Sequence, residues 1–229
     1  MGETPALRID GLRFAYRAGE PAVVEVGSLA LARGEQMLLT GGSGRGKSTL
    51  LMLIAGLMEP NAGHVVVDGQ VVHALHGAKR DLFRGRTVGM IFQTFNLLHE
   101  FSALENVMAA LMFSPVPKRE HRERAGELLK RLGVERVHAK PEELSVGQQQ
   151  RVAVARAVAC GPALVLADEP TASLDPENAA NAMDLIQTAC RDAGAALLCV
   201  SHDPSMAERF ERRASLDELA GKRTQRAQR

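Results

Sequence analysis

Long apolar runs and the residue pattern of a secretory signal are not found in this sequence of 229 residues. A membrane-spanning helix needs roughly 20 consecutive apolar residues, and the longest candidate, LLMLIAGLM at 50–58, is much shorter. The opening MGETPALRID does not combine a basic start with an apolar stretch, the pattern of a secretory signal. We therefore expect a chain without a membrane anchor of its own, for which a role at a membrane requires a partner.

Cysteines, aromatic residues and excess charge are also scarce. The three cysteines, Cys160, Cys190 and Cys199, have spacings that do not suit a metal site, so we expect reduced structural thiols in a cytosolic protein. The formal net charge of +1 gives no overall field for nucleic acid, and we expect no nucleic-acid partner. Aromatic residues make up 3% of the chain and include a single tyrosine, Tyr16.

Strand and helix patterns alternate along most of the chain, which predicts an α/β fold with a largely parallel sheet. Apolar or alternating segments predict strands at 7–16, 23–32, 35–40, 64–69, 87–92, 163–168 and 195–200. Helices are predicted after the capping box SALE at 102–105, over 118–133, from Ser145 to about Cys160, from Pro176 to Asp192 and from about Pro204. The segment 94–158 is expected to be a helical insertion into the core.

A phosphate-binding loop is the first chemical motif. The segment GGSGRGKST at 41–49 has the pattern G-x-x-x-x-G-K-[ST], and it lies between an apolar strand and a helical run, as this motif requires. Its glycines turn backbone N–H groups toward phosphate oxygens, its lysine reaches the β- and γ-phosphates, and its serine hydroxyl ligates Mg²⁺. Arg45 either adds charge beside the nucleotide or faces solvent. The residues expected around the nucleotide are Gly41, Gly42, Ser43, Gly44, Arg45, Gly46, Lys47, Ser48 and Thr49.

A pair of carboxylates ends a later strand, in LVLADEP at 164–170. Beside a phosphate-binding loop, Asp168 is expected to hold Mg²⁺, directly or through water. Glu169 is expected to polarise the water that attacks the γ-phosphate. The alternative is a solvated strand end, since acidic residues often occupy that position.

The segment LSVGQQQR at 144–151 lies between these two motifs. Ser145 and Gly147 are expected at the start of a helix, where a hydroxyl and free N–H groups form an anion site. Together with the following VAVARA, the segment resembles the LSGGQ signature of the ATP-binding cassette (ABC) ATPases, and the resemblance covers nearly the whole chain. It implies the P-loop NTPase fold of that family: a RecA-like core with a mainly parallel sheet, an N-terminal antiparallel β-subdomain and a helical subdomain.

The resemblance also implies how the chain is divided. We expect a single ABC ATPase domain over residues 1–229. Its nucleotide-binding core is formed by 1–93 and 159–217, and its helical subdomain, with the signature, by 94–158. Residues 218–229 form a basic tail, which is either a flexible solvated end or a segment attracted to an anionic membrane surface.

In this family the active site is shared between two subunits. The resemblance implies that Ser145, Val146, Gly147 and Gln148 bind the ATP held by the opposite subunit, so that a head-to-tail homodimer encloses two MgATP. Val146 stands where the family has a glycine, and its bulk could tighten or slow the closed dimer.

Other positions match the family one by one. Tyr16 stands where an aromatic ring stacks on adenine, although local strand packing is the alternative. Asp175, in ASLD at 172–175, matches a carboxylate at the dimer interface, and His202 matches the histidine that contacts the γ-phosphate. The resemblance therefore implies ATP hydrolysis to ADP and phosphate by Glu169, His202 and Gln93, with Mg²⁺ held by Ser48, Gln93 and Asp168.

Two longer segments resemble the branch of this family that contains LolD, MacB and FtsE-like proteins: FQTFNLLHEFSALENV at 92–107 and PEELSVGQQQRVAVARA at 141–157. That branch implies an ATPase on the inner face of the cell membrane that drives a separate permease in lipoprotein release or macrolide export. The alternative is an ATP-dependent dimerisation switch, as in FtsE-like proteins, that regulates a membrane partner without transport. The permease contact is expected near Phe95, Leu97, Leu98 and Phe101, unless these residues only join the insertion to the core.

Overall fold

A computed structural model describes residues 4–42, 44–172 and 174–221 of the chain. Its strands are β1 Leu7–Phe14, β2 Val24–Leu31, β3 Gln36–Thr40, β4 Ala62–Val67, β5 Gln70–Val71, β6 Val88–Ile91, β7 Leu164–Asp168, β8 Ala196–Val200 and β9 Arg212–Ser215. Its α-helices are α1 Lys47–Ile54, α2 Ala78–Thr87, α3 Ala103–Leu111, α4 His121–Arg131, α5 Val146–Val158, α6 Pro176–Asp192 and α7 Leu216–Gly221. No helix in these ranges is long and apolar enough to span a bilayer.

The described strands form two sheets of different kinds. An antiparallel sheet has the order β2-β1-β4-β5, and a parallel sheet has the order β6-β7-β8-β3-β9. Strand β1 alternates buried and exposed residues because one face covers a core and the other faces solvent. Strand β8 is buried along its whole length, as expected for a central parallel strand with helices on both faces.

The helical insertion packs on one face of the parallel sheet. A continuous core joins Val107 of α3, Leu129 of α4 and Val152 of α5 to residues of β7 and β8. Helix α3 begins at the predicted capping box, in which Ser102 and Glu105 exchange side chain to backbone hydrogen bonds. The insertion therefore shares its core with the sheet that carries the phosphate-binding loop.

The carboxyl-terminal part differs from the sequence-based expectation. The α-helix predicted from about Pro204 is wrong: Pro204–Arg209 is a short 3-10 helix, followed by strand β9. The buried side chain of Phe210 draws the chain back into the core, and the extended backbone there leads into the edge strand. Residues 218–221 of the expected tail belong to helix α7, and residues 222–229 lie outside the described chain.

Candidate functional site

The carboxyl ends of four parallel strands lie side by side at one end of the sheet. Strand β3 leads into the phosphate-binding loop, β6 is followed by Gln93, and β7 ends at Asp168. Strands β7 and β8 are neighbours, and Asp168 pairs in register with Val200. Glu169 and His202 follow these two strands and are therefore brought together, although they are 33 residues apart in the sequence. Open parallel sheets bind ligands at the carboxyl ends of their strands.

The phosphate-binding loop adopts a conformation that needs glycine at three positions, of which the first is Gly41, with a φ angle of 149°. Gly44 and Gly46 have φ angles of 73° and 84°, and a Cβ on Gly46 would lie 2.4 Å from the carbonyl oxygen of Val23. The Lys47 ammonium is buried and donates to the carbonyls of Gly41 (2.7 Å) and Gly42 (3.0 Å). The loop therefore curves around a positive charge at the start of α1. Ser43 lies outside the described residues.

Asp168 and Ser48 have the chemistry of a Mg²⁺ site. Ser48 lies beside the Asp168 carboxyl group, whose Oδ1 atom is buried and has no hydrogen-bond partner in the described structure. Burial raises the pKa of Asp168 above its usual value, and the neighbouring Ser48 side chain opposes this shift. An unpartnered carboxylate oxygen beside a hydroxyl is the kind of oxygen donor set that Mg²⁺ prefers, so these residues fit the ion.

Glu169 is held by its backbone and by two side chains. It is a non-glycine residue with a φ of 47°, a strained conformation fixed by the hydrogen bond from its N–H to the Val200 carbonyl (3.0 Å). Its Oε2 atom lies 2.9 Å from Nδ1 of His202 and accepts a hydrogen bond from the His202 backbone N–H at 3.3 Å. Its Oε1 atom is 3.9 Å from the Lys47 ammonium. The carboxylate is thus aimed into the cleft beside the phosphate-binding loop.

Most of the residues predicted to bind the nucleotide line a cavity of about 460 Å³. Tyr16 lies at its mouth; the residue is 62% exposed, and its hydroxyl is 3.0 Å from that of Thr49. Arg45 is exposed and lies 3.8 Å from Asp217. The lining residues are Tyr16, Val23, Gly44, Arg45, Gly46, Lys47, Ser48, Thr49, Gln93, Glu169 and His202.

Val23 is the lining residue that sequence reasoning missed. It precedes β2, and its apolar side chain gives no chemical signal. The only available hint was its place in a strand pattern near Tyr16, which does not show that the strand end approaches the phosphate-binding loop. The approach is made through its backbone carbonyl next to Gly46.

The signature residues lie elsewhere on the molecule. Ser145 caps α5, accepting a hydrogen bond from the Gln148 N–H at 3.3 Å, while the Gln148 side chain accepts one from the Ser145 N–H. Ser145, Val146 and Gly147 are exposed, and none of the signature residues lines the 460 Å³ cavity. Asp175 is also exposed and caps α6, with Asn178 as its partner. One copy of the chain therefore presents these groups outward.

The four residues expected at a permease contact divide into two pairs. Phe95 and Leu97 are buried and belong to the core of the helical insertion. Leu98 and Phe101 are both 44% exposed. Phe95 and Leu97 are therefore available only for packing inside the chain, and for Leu98 and Phe101 the permease contact stays a prediction.

Comparison with known proteins decides the family. The ABC transporter family matches residues 24–172, which include the phosphate-binding loop, the signature and the carboxylate pair. The chain belongs to the ABC transporter family. Its relatives include proteins named lipoprotein-releasing system ATP-binding protein LolD. The one from Nitrobacter winogradskyi is 41% identical over 219 residues, covering 94% of each chain, and the one from Maricaulis maris is 44% identical over 210 residues, covering 90% and 91%.

Solved ABC cassettes have the same fold. A dimeric structure of the ATP-binding cassette MJ0796, bound to ADP and Pi after hydrolysis, is 34% identical, with a TM-score of 0.80 and coverage of 93% and 95%. The cassette cbiO1 from Clostridium perfringens is 29% identical, with a TM-score of 0.76 and coverage of 88% and 80%. The expected ABC ATPase fold is confirmed, as is the resemblance to LolD. The chain is an ATP-binding subunit of an ABC transporter and hydrolyses ATP.

Proposed function

We propose that this ABC ATPase energises a lipoprotein-releasing transporter. In this proposal it works as a head-to-tail homodimer with two MgATP at composite sites, and it lies on the inner face of the cell membrane through a permease partner. Support for the cargo comes from the printed names of its LolD relatives. Support for the composite site comes from one observation: the capped, exposed start of α5 is separate from the cavity that contains Lys47 and Glu169.

The start of α5 is suited to bind a phosphate group from another molecule. Ser145, Val146 and Gly147 at its start are exposed, and the helix end carries partial positive charge. Gly147 has open space where a Cβ would be, so backbone can approach a ligand closely. Val146 is 52% exposed and adds bulk next to that surface. A second copy turned by a two-fold axis can therefore offer this end to the γ-phosphate.

Within the cavity each polar group has a distinct part in hydrolysis. Ser48, Asp168 and Gln93 would hold Mg²⁺, which neutralises charge on the β- and γ-phosphates when bound. Glu169 accepts a proton from the attacking water, and His202 holds the carboxylate in its aimed position. Lys47, which now donates to the carbonyls of its own loop, supplies positive charge to the phosphates.

This chain has a surface near Gln93 that suits a permease contact. A mostly apolar groove of about 370 Å³ runs between the sheet and the helical insertion, with Leu57, Phe92 and Phe113 in its lining. Leu57 and Phe113 are 50% and 42% exposed, and the exposed Leu98 and Phe101 belong to the segment that follows Gln93. An amphipathic cytoplasmic helix of the permease matches such a groove. Helix docking here reaches the nucleotide site through the Gln93 segment.

Purification of Glu169→Gln with MgATP tests the catalytic part. The variant keeps the shape of the side chain but removes the base, so we expect hydrolysis to fall by at least about a hundredfold while ATP stays bound. Glu127→Gln, on the exposed face of α4, is the matched control and should hydrolyse ATP at the wild-type rate. Hydrolysis by Glu169→Gln at the wild-type rate would rule out its role as base.

The transport part needs a membrane assay. The chain and its co-purifying permease are placed in proteoliposomes that contain an acylated lipoprotein, and release is measured with and without ATP. We expect ATP-dependent release that Glu169→Gln abolishes. ATP hydrolysis without any release would instead favour the dimerisation switch that regulates a partner.

A further inference from the structure

Arg156, near the end of α5, is bonded to the segment that follows Gln93. Its guanidinium donates to the carbonyl of Phe95 at 2.7 Å through one nitrogen and to the carbonyl of Asn96 at 2.6 Å through another. The two bonds use the planar fork of arginine, which lysine cannot reproduce with its single ammonium. Arg156 therefore fixes two successive peptide groups at once.

Those two peptide groups are in a conformation that the chain does not favour. Phe95 and Asn96 have φ angles of 57° and 47°, two consecutive left-handed residues without a glycine. Asparagine tolerates this region, whereas a residue as large as phenylalanine rarely does. The Phe95 side chain is buried in the core, so core packing and the arginine fork together hold the segment in place. Gln93, two residues earlier, lines the nucleotide cavity.

Helix α5 joins this fork to the signature. Ser145 caps its first turn and Arg156 lies eleven residues later, a separation of roughly 16 Å along a straight helix. Val152 and Ala153, between them, are fully buried, so the helix is held as a rigid element of the core. Helix α5 therefore connects the signature end to the carbonyls of Phe95 and Asn96 through Arg156.

We propose that Arg156 is a positioning residue that couples the signature helix to Gln93 of the same subunit. This inference rests on the proposed function, in which the signature contacts the ATP of the opposite subunit and Gln93 holds the Mg²⁺ of its own site. Through Arg156, engagement of one composite site reaches Gln93 in the other. Asn96 and Arg156 also line the groove proposed for the permease, so the same fork lies where that partner docks.

A double-mutant cycle on the full-length chain tests the coupling. Arg156→Gln should lower kcat about tenfold with little change in KM for ATP, because the phosphate-binding loop and Tyr16 are untouched. Gln93→Ala alone should also lower kcat. If Arg156 acts through Gln93, adding Arg156→Gln to Gln93→Ala should cost less than about twofold more. Fully multiplicative losses would overturn the inference, whereas an unchanged kcat in Gln93→Ala would overturn the proposed role of Gln93 itself.

Arg151 provides the matched control. It is on the same helix and also donates to a carbonyl, that of Leu132 at 2.6 Å, but this carbonyl is at the end of α4 and not beside Gln93. Arg151→Gln should destabilise the fold without the non-additive effect. Arg156→Lys should fold as the wild type does and still lose most of the coupling.

Hydrogen exchange gives a readout that does not depend on activity. In the Glu169→Gln background, MgATP should slow amide exchange over residues 92–97, and Arg156→Gln should abolish that protection while Arg151→Gln retains it. Protection that persists in Arg156→Gln would contradict the coupling, even if kcat has fallen for another reason.

Discussion

At the scale of single residues, Tyr16 is an exposed aromatic residue of the nucleotide site. Its ring packs edge-on against Phe14, with centroids 5.0 Å apart, and leaves its face open at the mouth of the cavity. Tyr16→Ala should weaken ATP binding by about 1–3 kcal/mol, because stacking on the base is lost. Tyr16→Phe keeps the ring and loses only the contact with Thr49, so it should bind nearly as the wild type does. Titration calorimetry measures both, and equal affinity of Tyr16→Ala and wild type would exclude stacking.

Asp168 is expected to serve Mg²⁺ binding at a cost in the stability of the fold. Burial raises its pKa, so the folded chain binds a proton there more tightly than the unfolded chain does. The contribution of Asp168 to the free energy of unfolding is most favourable below the pKa that its carboxyl group has in the unfolded chain. This contribution is lost as the pH rises through the pKa that the group has in the folded chain. At neutral pH the ionised carboxylate therefore destabilises the nucleotide-free fold.

Asp168→Asn tests this balance, because it removes the charge and keeps an oxygen for Ser48. We expect a higher Tm at pH 7 without nucleotide or Mg²⁺, together with a large loss of Mg²⁺-dependent hydrolysis. The gain in Tm should shrink as the pH is lowered toward the ordinary pKa of aspartate. A lower Tm at pH 7 would contradict the burial argument.

At the scale of elements, the phosphate-binding loop is constrained unequally along its length. Gly44 and Gly46 both have positive φ angles, but only a Cβ on Gly46 meets the backbone, at 2.4 Å from the Val23 carbonyl oxygen. Gly44→Ala should cost about 1 kcal/mol in unfolding free energy through left-handed strain alone. Gly46→Ala should cost clearly more and also displace the loop, which thermal unfolding and ATP titration would show. Equal effects of the two substitutions would contradict this geometry.

The elements that carry chemistry could be predicted from the sequence, because their signals are local. Glycines before a lysine, a serine before a helical run and a carboxylate after an apolar strand identified α1, α5 and β7 directly. Strand β9 could not be predicted, since Arg212–Ser215 has no apolar alternation and exists only by pairing with the edge of β3. Pro204 is suited to the start of a helix, but the helical segment ends at Arg209, before the buried and extended Phe210.

The site itself was predicted only in part for a similar reason. Residues with phosphate or carboxylate chemistry were identified one by one, whereas their distances depend on strand order in the sheet. The contact between Glu169 and His202 follows from the register of β7 against β8. The burial of Phe95 and Leu97 depends on packing against α3 and α5, so an apolar pattern could not separate them from the exposed Leu98.

For the whole molecule, the permease contact is tested by a charge at Leu98, which is exposed in the segment that follows Gln93. Leu98→Glu places a carboxylate on a surface meant for an apolar helix, so co-purification with the permease should be lost while ATP binding is kept. Val71→Glu is the matched control, because Val71 is 37% exposed on β5 of the antiparallel sheet. Loss of the permease with both variants, or with neither, would contradict the assignment of this surface.

The most direct test of the central claim, that a second copy completes the site, uses the cap of α5. Aspartate caps a helix as well as serine does but repels phosphate, so Ser145→Asp separates helix stability from phosphate binding. Sedimentation equilibrium in MgATP should show a dimer for Glu169→Gln and a monomer with bound ATP for Glu169→Gln/Ser145→Asp, at equal Tm. A dimer formed equally by both proteins would contradict the composite site, because the signature would then have no contact with the opposite nucleotide.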